Sequence, residues 1–269
     1  MHAIDSILLA IVASTPLLLA VEGELVVQRS GIINLGIEGM MLAAAMTATL
    51  THSLWGGILG AAAMAALFGF FAIVLKADQI VTGTAINLLA LGLTGFVYRE
   101  MQEAFARPLP HVDRDLIVPA AWIVLPIALA ALLWRTMFGL RLRACGENPD
   151  VIGRQVPFYR WSALAIEAVL VGVAGSHLAL VLSSGFAENM TAGRGFIALS
   201  IVIFGRWKLK GALLGTAVFG LAAAGQYALQ AASIGLPFHL LLAVPYVVTL
   251  LILCGITGRV RAPEALGRP

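Results

Sequence analysis

Charge is scarce in this sequence: 17 basic and 14 acidic side chains make up only 12% of 269 residues, against roughly a quarter in soluble domains. A water-soluble globule of this length needs a charged skin that these residues cannot supply, which argues against a soluble enzyme and a disordered chain. The net charge is only +3 and no basic stripe is interleaved with aromatics, which argues against a nucleic-acid binder. Two cysteines, Cys145 and Cys254, form neither a disulfide framework nor a metal-ligand spacing. The histidines (His2, His52, His111, His177, His239) never fall in pairs on one helical turn, so no metal site is expected. Also missing are a G-x-x-x-x-G-K-[ST] phosphate loop, a G-x-S-x-G elbow and an H-E-x-x-H pair. No cofactor or catalytic residue is expected, and any energy for work must come from another subunit or an ion gradient.

What the sequence has in abundance is apolar residues, 60% of the chain, with a mean hydropathy of +0.96. Long apolar runs alternate with short charged stretches, which predicts an all-α polytopic membrane protein; barrel strands would instead show ~10-residue alternating segments. A crossing helix needs about 20 mainly apolar residues. Nine candidates occur at 4–21, 31–50, 54–75, 79–98, 117–134, 160–182, 195–205, 211–229 and 236–255. The seventh is too short to span as a plain helix and needs the irregular stretch 184–194 to complete it, tolerable only where that stretch lines protein or a cavity. The opening MHAIDSILLA lacks the basic region of a secretory signal, so its helix is expected to be permanent. With the N-terminus outside and the C-terminus cytoplasmic, nine crossings place 13 of the 17 basic residues in the cytoplasm.

An internal repeat is suggested by GGILGAA at 56–62 and GALLGTA at 211–217, and by GIEGM at 36–40 and AGRGF at 192–196. The paired segments run in opposite directions in this layout. One membrane domain over 1–269 would then consist of repeat A (about 4–98), a connector helix with a cytoplasmic helix (about 117–158), and repeat B (about 160–255), an inverted repeat of four helices each. Small-residue patterns of this kind also serve close helix packing.

Three places carry polar information. The run GIINLGIEGMML at 31–42 puts Asn34 and Glu38 four residues apart, on one face if the run is helical. A carboxylate inside a span faces a cavity or a partner group; Glu38 either lines a substrate path or ties a broken helix together through free backbone amides. Asn87 is a buried amide suited to interhelical hydrogen bonding or to substrate contact. Arg194, in the position that the repeat matches to Glu38, is expected near the outer face, where it could contact a docked binding protein or substrate, or anchor at headgroups. The polar stretch 141–156 contains Asn148, Pro149 and Asp150, a helix-start pattern. Glu167, His177, Gln226 and His239 stand singly on apolar helices, where packing is the expected role; they show no proton relay in register.

GIINLGIEGMML (31–42), TGTAINLL (82–89), ACGENP (144–149) and GRGFIALSIVIFG (193–205) followed by Arg206 and Trp207 resemble the permease subunits of bacterial ABC importers for simple sugars and nucleosides, most closely the nucleoside branch. The four motifs stand in the family's order through most of the chain. The resemblance implies a type II importer-like fold in the bacterial inner membrane and a path for a nucleoside or related neutral solute. It also implies three kinds of partner: a second permease subunit, identical or homologous, cytoplasmic ATP-binding subunits that hydrolyse ATP, and an extracytoplasmic substrate-binding lipoprotein. The family's cytoplasmic coupling helix maps onto 146–156, with Gly146, Glu147, Asn148, Pro149 and Asp150 as ATPase-coupling residues; Asn34, Glu38 and Asn87 are the substrate-path candidates that the polar residues themselves suggest. After Pro149 the sequence departs from the family's alanine-richer run. Simple-sugar or branched-chain amino-acid permeases are the substrate alternatives; an ion-coupled secondary transporter is the alternative of another class, and it would need acids or unwound ion sites in both halves.

Overall fold

The computed structural model describes residues 3–105, 114–183, 185–231, 247 and 261–268. Every regular element among them is helical. The helices are α1 (Ala3–Arg29), α2 (Ile37–Thr51), α3 (Leu54–Gly69), α4 (Gln79–Glu100), α5 (Gln102–Phe105), α6 (Arg114–Pro119), α7 (Leu125–Arg135), α8 (Met137–Glu147), α9 (Pro149–Ile152), α10 (Val156–His177), α11 (Arg194–Phe204) and α12 (Leu209–Ala231). Three spans contain a π-helical turn: α3 continues through Phe70–Val74, α6 joins α7 through Ala120–Val124, and α10 continues through Leu178–Leu182.

Each of the first eight expected spans coincides with a helix; the ninth, 236–255, lies outside the described residues apart from Val247. Three boundaries move for physical reasons. The first helix runs on past residue 21 to Arg29, because Glu22 and Glu24 are buried in the bundle and do not form a loop. Residues 31–36, expected to be helical, form turns, so α2 starts only at Ile37. Residues 141–147, the first half of the polar stretch and not among the expected spans, belong to α8, which carries its arginines on a partly exposed helix and buries Leu142, Cys145 and Gly146.

The centre of the bundle is built by α1, α2, α3 and α10, which pack on one another, while α12 and α11 lie against α1. In the apolar window of α1, 83% of residues are buried, against 72% for the span containing α10 and 28% for α4. The helices α1 and α10 are thus the axis, while α4 leaves Val81, Leu88 and Phe96 exposed to lipid or a partner. Close approach of the central helices depends on small residues: a Cβ on Gly172 would stand 2.5 Å from the Ile58 Cα, and one on Gly175 would stand 2.3 Å from the Met41 carbonyl oxygen.

Candidate translocation and coupling site

Two helices begin inside the protein. At about 1.5 Å per residue, the 11 residues of α11 rise about 16 Å, half of a roughly 30 Å hydrocarbon core. The far end of α11 is fixed: the Arg29 guanidinium, at the end of α1, donates to the Trp207 carbonyl through Nε at 2.9 Å and also through Nη2. The start of α11 therefore lies about half a span away, and its first amides would be unpaired at depth.

Glu38 pairs them. Its Oε1 accepts from Thr191 Oγ1 at 2.5 Å and from the Gly193 amide at 2.8 Å, and its Oε2 accepts from the Gly195 amide at 2.6 Å. A carboxylate in the first turn of α2 thus caps the positive end of α11. Arg194 follows at the start of α11, where its Nη1 donates to the Met190 and Thr191 carbonyls at 3.1 Å. Asn87 completes the junction from α4: its Oδ1 accepts from the Gly39 amide and its Nδ2 donates to the Leu35 carbonyl, both at 2.8 Å.

Asn34 belongs to a different cluster. Because it precedes α2 and lies outside any helix, it does not share a face with Glu38. Asn34 Nδ2 donates to Glu167 Oε2 at 2.7 Å, and its Oδ1 accepts from the Gly36 amide at 3.0 Å. Glu24 Oε1 accepts from Gln28 Nε2 at 2.7 Å and from the Asn34 amide at 3.4 Å; Gln28 Oε1 accepts from Trp207 Nε1 at 2.6 Å. Glu24, Gln28, Asn34 and Glu167 are all essentially inaccessible to solvent. Sequence reasoning missed Glu24 and Gln28 because it ended the first helix at 21; their i,i+4 spacing is the signal that could have found them. Glu22 and His177 are also buried, with no hydrogen-bond partner among the described residues.

The third group lies at the Arg29 end. Asn148 caps α9, accepting from the Asp150 amide at 3.2 Å, with Pro149 in the first turn. Glu147 is half-exposed and faces Arg29 at 3.9 Å, a surface pair worth about 0–1 kcal/mol. Gly146 is packed so closely that a Cβ would stand 2.4 Å from the Arg29 carbonyl oxygen. Segment 261–268 closes this end: the Ala265 amide donates to the Gly146 carbonyl at 2.8 Å, the Gly267 amide to Gly31 at 2.9 Å, and Arg160 Nη2 to the Arg268 carbonyl at 2.9 Å. Gly31, at φ +94°, takes a conformation that suits glycine. Burial pushes the Cys145 thiol up to about 11. In a Cys254→Ser background, iodoacetamide at pH 8 should therefore leave Cys145 unmodified in the native protein and alkylate it on denaturation; equal labelling of both states would refute its burial.

A bundle of apolar spans, with a half-length helix capped at depth by an internal carboxylate and a polar turn displayed at one end, defines a multi-pass membrane transport subunit. Residues 6–254 match the family described as branched-chain amino acid transport system / permease component, and the chain belongs to that family. It is 33% identical to the Guanosine ABC transporter permease protein NupQ of Bacillus subtilis, covering 96% of this chain and 94% of the relative. It is 34% identical to the Nucleoside ABC transporter permease protein NupC of Lactococcus lactis, over 96% and 93% respectively. No solved structure matches the chain. The protein is a permease subunit of an ABC importer, a transport component and not an enzyme.

Proposed function

We propose that this permease carries nucleosides or closely related uncharged solutes across the bacterial inner membrane, with its N-terminus outside and its C-terminus in the cytoplasm. The observation that carries the substrate class is the occupied start of α11. A free half-helix N-terminus would attract an anion, but here the Glu38 carboxylate already takes the Gly193 and Gly195 amides. The half-helix start itself then holds no vacant anion site, and the partly exposed Arg194 beside it is turned onto the Met190 and Thr191 carbonyls; this suits a neutral solute, and the names of the two relatives point the same way.

The working assembly pairs this chain with a second permease, identical or homologous, an extracytoplasmic binding lipoprotein and cytoplasmic ATP-binding subunits that carry the nucleotide. The same reading takes the chain as one domain of two inverted halves, about 4–98 and 160–255; α1 packs along α10 and α2 against α11. The turn 146–156 is the ATPase contact. It displays Glu147, Asp150 and Arg154 around Val151, which is 74% exposed in the most polar stretch of the chain. ATP binding draws the ATPases together, pushes α8 and α9, and changes the side on which the path opens.

Glu147→Ala breaks only a weak surface pair, and Pro149→Ala removes a helix-start residue whose backbone needs no partner. In the reconstituted complex each should preserve the fold yet lower uptake per ATP hydrolysed by about tenfold, the effect of losing one interface anchor of ~1–2 kcal/mol. Wild-type coupling in both variants would overturn the assignment.

A further inference from the structure

Between the junction at Asn87 and the far end of α4 lies a cavity of about 600 Å³, within the roughly 300–1,000 Å³ of small-molecule sites. Its polar rim is Arg99, Glu100, Glu188 and Asn189, and Phe96 forms part of its apolar wall. Arg99 holds Glu188 through bonds of 2.9 and 3.1 Å, and this pairing keeps the Glu188 carboxyl below the usual carboxylate range. The pair cancels its own charge, so Glu100 leaves the rim slightly negative, which opposes anionic solutes. Phe96 is 64% exposed and presents an aromatic ring.

The remaining wall is made by Gly92 and Gly95, in the interior of α4. A Cβ at either would meet nothing within 4 Å. Glycine weakens a helix interior relative to alanine, and most glycines in the central helices α2, α3 and α10 are explained by a neighbour in contact, whereas Gly225 of α12 also faces open space. Gly92 and Gly95 face open space, so what needs the room is absent from the chain itself.

We propose that this cavity is the vestibule through which an uncharged, nucleoside-sized solute enters: Phe96 stacks its flat base, Asn189 and the Arg99–Glu188 pair exchange hydrogen bonds with its hydroxyls, and Gly92 and Gly95 leave it space. The proposal rests on the nucleoside reading above. A polar rim around an aromatic wall suits a solute better than a packed helix, whose contact would leave those rim groups buried against apolar side chains.

The test uses the assembled importer in proteoliposomes with radiolabelled guanosine and uridine. Gly92→Ala, →Leu and →Phe should lower uptake in order of added volume, with Phe at least about tenfold down and guanosine, the larger base, suffering more than uridine. Leu116→Phe, an exposed apolar position on α6, is the control and should transport normally. Phe96→Ala should raise the KM for guanosine, and Phe96→Tyr should restore it, a split that a folding defect would not produce. Size-exclusion chromatography should show the Gly92→Phe complex intact. Unchanged uptake in Gly92→Phe and Phe96→Ala overturns the vestibule. Loss of permease pairing in Gly92→Phe also overturns it, marking the face as a subunit contact. Wild-type complex that takes up neither nucleoside overturns the nucleoside reading and the vestibule with it, a failure distinguishable because it appears before any substitution.

Discussion

Glu38→Ala should abolish uptake and release the start of α11. The substitution removes three hydrogen bonds at once and leaves the Gly193 and Gly195 amides and the Thr191 hydroxyl without their acceptor in a buried site. Bonds to a charged group contribute about 1.5–3 kcal/mol each, though the sum is not additive. A net loss of about 3–5 kcal/mol, the usual result of breaking a buried charged contact, is expected. Hydrogen exchange should accelerate at residues 193–197 well before the rest of the bundle opens. Glu38→Gln should be milder, since its carbonyl can still serve one amide while its NH2 opposes another. Native exchange rates in Glu38→Ala would show that α11 holds its start without help.

Asn34→Leu is expected to be as damaging, for a different reason. Leucine matches asparagine in bulk but offers no donor to Glu167 Oε2 and no acceptor to the Gly36 amide. Both groups are fully enclosed, so the cost is the desolvation of each, about 1–3 kcal/mol apiece, with more for the carboxyl. The thermal midpoint of the detergent-solubilised subunit should fall by several degrees, and yield should fall with it. Asn34→Asp should be no better, because it sets a third acid beside Glu24 and Glu167. A variant with wild-type melting would mean that the cluster is not holding α1, α2 and α10 together.

How far these sites could be read from the chain alone differs residue by residue. The scarcity of charge and the apolar run lengths were enough for the spans, because a bilayer allows only helices with internally satisfied backbones. The oddness of Asn34 and Glu38 was visible too, since polar groups in a span demand partners. Their partners were not: Thr191, Gly193 and Gly195 are distant in sequence, and only the fold brings them to one carboxylate. Assuming one continuous helix over 31–50 put Asn34 and Glu38 on a common face, whereas the turns at 31–36 send them to separate clusters. The end of α1 was misjudged because acids near a span boundary look like loop; Glu24 stays inside because Gln28 and the Asn34 amide receive it. In α8 the arginines imitate a loop, but Leu142 and Cys145 turn inward at helical spacing. The wall of small residues at Gly92 and Gly95 gave no signal at all, because the sequence cannot distinguish a glycine that admits a neighbour from one that leaves a space.

The contact of 261–268 with Gly31 joins residues separated by nearly the whole length of the chain, and its contact with Gly146 reaches back across almost half of it. During synthesis the turn after α1 is made early, yet its carbonyl at Gly31, the one at Gly146 and the Arg160 guanidinium receive these partners only when the last of the three segments emerges. Assembly of this end is therefore a late, long-range step: a chain truncated before residue 261 would leave the Gly31 and Gly146 carbonyls and the Arg160 guanidinium without these partners.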